Sequence, residues 1–160
     1  MPLNAHELFN LLADDLTAFA ADESAQFSRA ADPFHILELL GEAPGKFRII
    51  LGWLAETIEG HHRSGIVKHR FVVVVSANRG LQVVQGKQLS VARGSEDPLM
   101  QRVAAVRDRV RSFSFPTDEK QTEGVVEYGG CEPTKFEGVN LDAYELTFYL
   151  RAALPFNSPR

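Results

Sequence analysis

Four groups of residues in this 160-residue chain have types and spacings that chemistry can use. The first is Gly80-Leu81-Gln82-Val83-Val84-Gln85-Gly86-Lys87-Gln88, which has the outline of a phosphate-binding loop. Such a loop needs four residues between its glycines and a Ser or Thr after its lysine: backbone amides cradle the phosphates and the hydroxyl holds magnesium. Here five residues separate the glycines and Gln88 follows the lysine, with no helical pattern at once, so no nucleotide site is expected. The second group is His61-His62 with His69. Adjacent side chains on an extended strand point to opposite faces, so the pair would chelate poorly. Residues 60–95 contain no acidic ligand, and a surface turn is expected in place of a metal site.

The third is Cys131, the only cysteine, after Gly129-Gly130 in a turn-like setting. A nucleophilic cysteine needs a histidine brought close by the fold, whereas a lone cysteine commonly serves as a small filler. One cysteine also excludes an internal disulfide framework and any multi-cysteine zinc site. The fourth is Glu127 with Glu145, which could face each other across two strands, although chance pairings are common among 21 acidic residues. Neither G-x-S-x-G nor H-E-x-x-H occurs. No catalytic residue, cofactor or metal ligand is expected, and the chain reads as a protein that is not an enzyme.

The elements that must position these groups follow from periodicity. Asn4 with Glu7 has the form of a capping box, and Ala5, Leu8, Phe9, Leu12, Leu16 and Phe19 recur at helical spacing. That predicts a helix over about residues 5–20 with Asp14 and Asp15 on its outer side. Residues 21–34 are small and polar and read as a loop. Phe34–Leu40 fits either a strand or a short helix. A strand begins at Phe47–Leu51, with Gly52 marking a bulge or a close backbone approach and Trp53 as a core anchor. Ile66–Ser76 is the strongest strand: Phe71-Val72-Val73-Val74-Val75 is a continuous apolar run, which implies cover on both faces. Lys68, His69 and Arg70 precede it as gatekeepers against aggregation.

Residues 77–95 read as a protruding arm or loose hairpin. Asp97 caps a helix with Pro98 at its first position, continuing through Leu99, Val103, Val106 and Val110 to about Phe113. Gly124–Gly130 is a strand, Cys131–Asn140 a loop, and Asp142–Ala153 a final strand with Tyr144, Leu146, Phe148 and Leu150 on one face. Residues 156–160 form a frayed tail. The expected fold is one α+β domain over residues 1–160, a mostly antiparallel sheet with two main helices on one face and a long protruding loop. The other face of the Phe71–Val75 strand then requires a second layer or a neighbouring subunit.

Charge is segregated along the chain. Residues 1–59 hold 3 basic and 10 acidic residues, a balance of −7. Residues 60–95 hold Arg63, Lys68, Arg70, Arg79, Lys87 and Arg93 and no acid, a balance of +6. Residues 96–160 hold 8 basic and 11 acidic residues, and the three blocks recover the chain's −4. The cationic block fits a solvated hairpin edge, a contact with an acidic surface, or phosphate contact. It lacks the interleaved aromatics of a base-stacking surface, so no specific nucleic-acid binding is expected. The N-terminus has no cationic region ahead of an apolar stretch, so no secretory signal is expected. The longest apolar stretches fall far short of the roughly 18 residues that a membrane-spanning helix requires.

The layout of residues 66–155 resembles the tail-terminator, or tail-completion, proteins of long-tailed bacteriophages and related particles. The residues that carry this are the strand Val67–Ser76 leading into a polar arm, the capped helix Pro98–Phe113 with Arg107-Asp108-Arg109-Val110-Arg111, and the closing strands Gly124–Tyr128 and Ala143–Leu150 with Tyr144-Glu145-Leu146-Thr147-Phe148. The helix Ala5–Ala20 fits the family's opening helix; residues 21–60 match nothing in it. The resemblance implies a structural protein of the virion, assembled in the host cytoplasm. It implies a ring of six copies that caps the tail tube and meets the head–tail connector or stopper protein. Arg63, Lys68, Arg70, Arg79, Lys87 and Arg93 are the expected subunit or tube contacts. The alternatives are another head–tail joining protein, a stopper or neck component, or a small cytosolic binding module using the cationic 60–95 segment.

Overall fold

The structure is a computed structural model. It describes residues 5–23, 25–30, 32, 35–36, 38–39, 47–57, 66–78, 98–113, 126–135 and 141–153. Its elements in chain order are helix α1 (Ala5–Asp22), strands β1 (Gln26–Ala30), β2 (Phe47–Thr57) and β3 (Ile66–Asn78), helix α2 (Pro98–Ser112), and strands β4 (Val126–Lys135) and β5 (Leu141–Ala153). The strands form one five-stranded sheet in the order β1-β2-β3-β5-β4. β1 runs parallel to β2, and the other three pairings are antiparallel. The fold is α+β, a mostly antiparallel sheet with two helices. The protruding loop expected at 77–95 begins with Ala77 and Asn78, which are the last residues of β3; its remainder lies outside the described residues.

Both helices pack on one face, here called the front. Leu8, Phe9, Leu12 and Leu16 of α1 and Leu99, Val103, Val106 and Val110 of α2 meet Ile49, Leu51, Phe71, Val73, Val75, Leu146, Phe148 and Leu150 of the sheet. Three- and four-residue spacing puts each helical set on one stripe, and two-residue alternation puts each strand set on one side. Phe71 is the hub: its ring stacks on Phe148 at 5.4 Å between centroids and meets Phe9 edge-on at 5.9 Å.

The alternate residues of β2 and β3 face the back, where Ile50, Val72, Val74, Ala30 and Ala143 form a second buried cluster with Ile36 and Leu39. The continuous Phe71–Val75 run is thus buried on both faces, as its pattern requires. Its back cover comes from the same chain, in the β1–β2 crossover, and no neighbouring subunit is needed for it. Residues 35–36 and 38–39 are helical, which settles the strand-or-helix ambiguity there.

Three other expectations change. The loop expected at 21–34 contains β1, paired with Arg48–Gly52. The loop expected from Cys131 onward is strand through Lys135, because a bulge between Tyr128 and Gly130 resets the register and pairing with β5 resumes. Gly52 is a close approach, as a Cβ there would lie 2.8 Å from Ile36 Cδ1, while the bulge in β2 falls between Trp53 and Ala55. The side chain of Trp53, and the caps expected at Asn4 and Asp97, lie outside the described residues.

Candidate interaction surface

Of the six basic residues expected at an interface, Arg63, Arg79, Lys87 and Arg93 lie outside the described residues. Lys68 and Arg70 sit two apart on β3, so both point to the back, on the same side as Val72 and Val74. Lys68 is engaged within its own chain. Its Nζ lies 3.5 Å from Glu127 Oε2 on β4 and 4.5 Å from the centroid of the Tyr149 ring on β5. Arg70 pairs across the ladder with Tyr149 and Ala55, is exposed, and has no ion pair among the described residues. The cationic end of this face therefore offers one committed charge and one uncommitted one.

Further along the same face the sign reverses. Glu145 of β5 stands opposite Glu132 of β4, and among the described residues no basic side chain pairs with either. Like charges directly opposite in a ladder destabilise the pairing. Glu127 is opposite Tyr149, so the pairing expected between Glu127 and Glu145 does not form. Tyr149 and Glu145 are four positions apart on one strand, which at the usual rise is about 13 Å. The open part of the back face thus carries cations at one end and paired acids at the other, with Thr147 and Tyr149 half-buried between them.

Of the remaining candidates, His69 and Cys131 lie in the sheet. His69 lies in β3, the strand expected for it, but points to the front and is 3% exposed, so it is a buried residue and not a surface one; His61 and His62 lie outside the described residues. Cys131 is a free thiol on the front of β4, half-buried against the core. Burial raises its pKa, partly offset by the nearby Arg107 guanidinium, so the neutral thiol dominates and the group is a poor nucleophile. Among the described residues no group of three or more His, Cys, Asp and Glu is placed to hold a metal, and no helix is long and apolar enough to cross a membrane.

Sequence reading missed the contacts that tie the helices together. Asp15, expected on the outer side of α1, accepts hydrogen bonds from Arg109 Nε at 2.8 Å and Nη2 at 2.7 Å. This hydrogen-bonded pairing, and then the carboxylate's charge, push the Arg109 pKa upward. Arg102 Nη1 lies 3.0 Å from Glu23 Oε2 just past the end of α1, and its guanidinium covers the Phe47 ring at 4.4 Å. On the back, Arg48 is 2% exposed and donates to the Leu39 carbonyl and, at 3.0 Å, to Gln26 Oε1. No motif encodes these pairs; they depend on helix placement and strand register.

No family model matches the chain, and no curated protein matches it.

Proposed function

We propose that the chain is a structural protein of a phage tail, a tail terminator whose copies close into a ring at the head-proximal end of the tube. Its partners in this reading are its own copies, six in the ring, the tail tube protein and the head–tail connector or stopper. The observation that carries the reading is the bipolar back face, with the exposed Arg70 beside the Lys68–Glu127 pair at one end and Glu132 with Glu145 at the other. A closed ring needs two different surfaces of one chain to fit each other head to tail. Segregated charge supplies register and docking rate more than affinity. The layout of α1, β3, α2, β4 and β5, in that order, is compatible with the resemblance in residues 66–155.

The test is charge reversal. Replacing Arg63, Lys68, Arg70, Arg79, Lys87 and Arg93 with Glu should abolish rings, with the monomer's circular dichroism unchanged. Intact rings after the replacement would refute the assignment of these residues. Salt-dependent retention of DNA by the native protein would instead favour the binding-module alternative.

A further inference from the structure

The two helices carry opposite charge and use only part of it on each other. α1 holds Glu7, Asp14, Asp15 and Asp22 and no Lys or Arg, a balance of −4. α2 holds Arg102, Arg107, Arg109 and Arg111 against Asp108, a balance of +3. Between them, Arg109 is bound to Asp15, and Arg102 reaches Glu23 just past the end of α1. Glu7, Asp14 and Asp22 are exposed and share one side of α1 with the exposed Leu11 and Ala18, away from the stripe of Leu8, Leu12 and Leu16. Asp14 and Asp22 have no ion pair among the described residues.

On α2, Arg107 and Arg111 lie four apart on the side turned to β4, with Met100 and Ala104 at the same helical spacing. The Arg111 guanidinium is 5.9 Å from the centroid of the Tyr128 ring, and Arg107 is near enough to the Cys131 thiol to draw its pKa down. Arg107 Nε lies 3.2 Å from Asp108 Oδ1, a carboxylate 67% exposed, and an ion pair this open to water is worth little. Arg111 is exposed and has no ion pair among the described residues.

These two sides belong to opposite ends of the molecule. α1 is tied to β1, where Arg29 donates to Asn10 and covers the Phe9 ring at 4.7 Å, whereas the Arg107 and Arg111 side of α2 borders β4. β1 and β4 are the two ends of the sheet order. One end of the helix layer is thus acidic around Leu11, 37% exposed, and the other is cationic. Two different, matching surfaces on one chain are what a head-to-tail contact between copies requires, and opposite charge sets its orientation.

We infer that the helix layer is a subunit interface, in which the Glu7, Leu11, Asp14 and Asp22 side of α1 in one copy docks against the Arg107 and Arg111 margin of α2 and β4 in a second copy. Carboxylates meet guanidiniums there, and Leu11 packs against the apolar stems of the two arginines. The occupant is another copy of this chain because the chain carries both halves of the contact. This rests on the ring reading above, and adds a contact on the helix side of the sheet to the charged strip on the back.

Charge reversal at each end, followed by mixing, tests it. One variant carries Arg107→Glu with Arg111→Glu, the other Asp14→Lys with Asp22→Lys. Each alone should keep the native circular dichroism and lose its rings, in solution and on tail tubes, because like charges meet at every contact. An equimolar mixture should recover closed rings by native mass and electron micrographs, since the two variants complement each other in alternating order. Should a reversal unfold the protein, Arg107→Gln with Arg111→Gln removes the charge alone and should raise the concentration for half-assembly about tenfold. Rings from either reversal at native concentrations, folded variants that stay at single-copy mass when mixed, or unchanged half-assembly in the Gln variant overturn this interface and leave the ring reading standing. A native protein that forms no rings even on tail tubes overturns both.

Discussion

Two glycines in β4 carry more of the edge strand than their size implies. Gly129 lies under Tyr149: a Cβ would meet Tyr149 Cε2 at 2.6 Å and the Thr147 carbonyl oxygen at 3.3 Å. Gly129→Ala should therefore cost about 1–3 kcal/mol through overpacking. Gly130 has open space around it but a φ of 127°, so Gly130→Ala should cost about 1–3 kcal/mol through backbone strain. Urea denaturation measures both. The adjacent Cys131 should alkylate more slowly in the folded protein than in the unfolded chain at mildly alkaline pH, because burial favours its neutral form. The sign follows from linkage: a thiol pKa raised by folding adds stability below the unfolded value and loses it as pH rises through the folded value. Equal alkylation rates would contradict this. The sequence marked Gly52 as a bulge or close backbone approach, and read Gly129-Gly130 as a turn-like setting where the structure has a bulged strand. It could not name Ile36 and Tyr149 as the groups that require them, since those contacts depend on register.

At the scale of elements, the last strand in the chain is an inner strand of the sheet, between β3 and β4. β5 pairs along its full length with β3 and also carries β4, so the sheet cannot close until the chain is nearly complete. Phe148 lies between Phe71 and Tyr128, with ring centroids 5.4 Å from each. Phe148→Ala should cost about 3–5 kcal/mol, read by thermal or chemical unfolding. The α1–α2 clamp is worth less. Arg109 is 44% exposed and Asp15 18%, so Arg109→Ala should cost no more than about 1 kcal/mol, and less at high salt. Because the Arg109 pKa is raised by Asp15, the cation's contribution is present at neutral pH and is lost on the alkaline side only as pH rises past the ordinary guanidinium value. Strands with strong patterning, β3 and β5, and both amphipathic helices were legible in the sequence. β1 was not: Gln26-Phe27-Ser28-Arg29-Ala30 is short, mostly part-exposed and without clean alternation. Nor was the second half of β4, where Gly129-Gly130 and Pro133 imitate a loop. Pro133 is tolerated because β4 lies at the end of the sheet order, where its missing amide interrupts no inner ladder.

For the whole molecule, the decisive features are the segregation of charge and the division of the back face. Composition already placed +6 in residues 60–95 between acidic flanks. What it could not show is that Lys68 is tied down by Glu127 and Tyr149 while Arg70 is left to solvent, or that Glu132 and Glu145 are brought opposite each other. Of the two covers expected for the Phe71–Val75 strand, a second layer or a neighbouring subunit, the chain itself supplies one through Ile36 and Leu39. The case for assembly therefore shifts from missing cover to complementary charge. It is tested most directly by the mass of the native assembly, read by native mass spectrometry or light scattering, with electron micrographs of the protein alone and added to tail tubes. Closed rings, with a mass that is a whole multiple of 17.8 kDa, are the expected result. A protein that stays at single-copy mass at every concentration and leaves tube ends bare would contradict it.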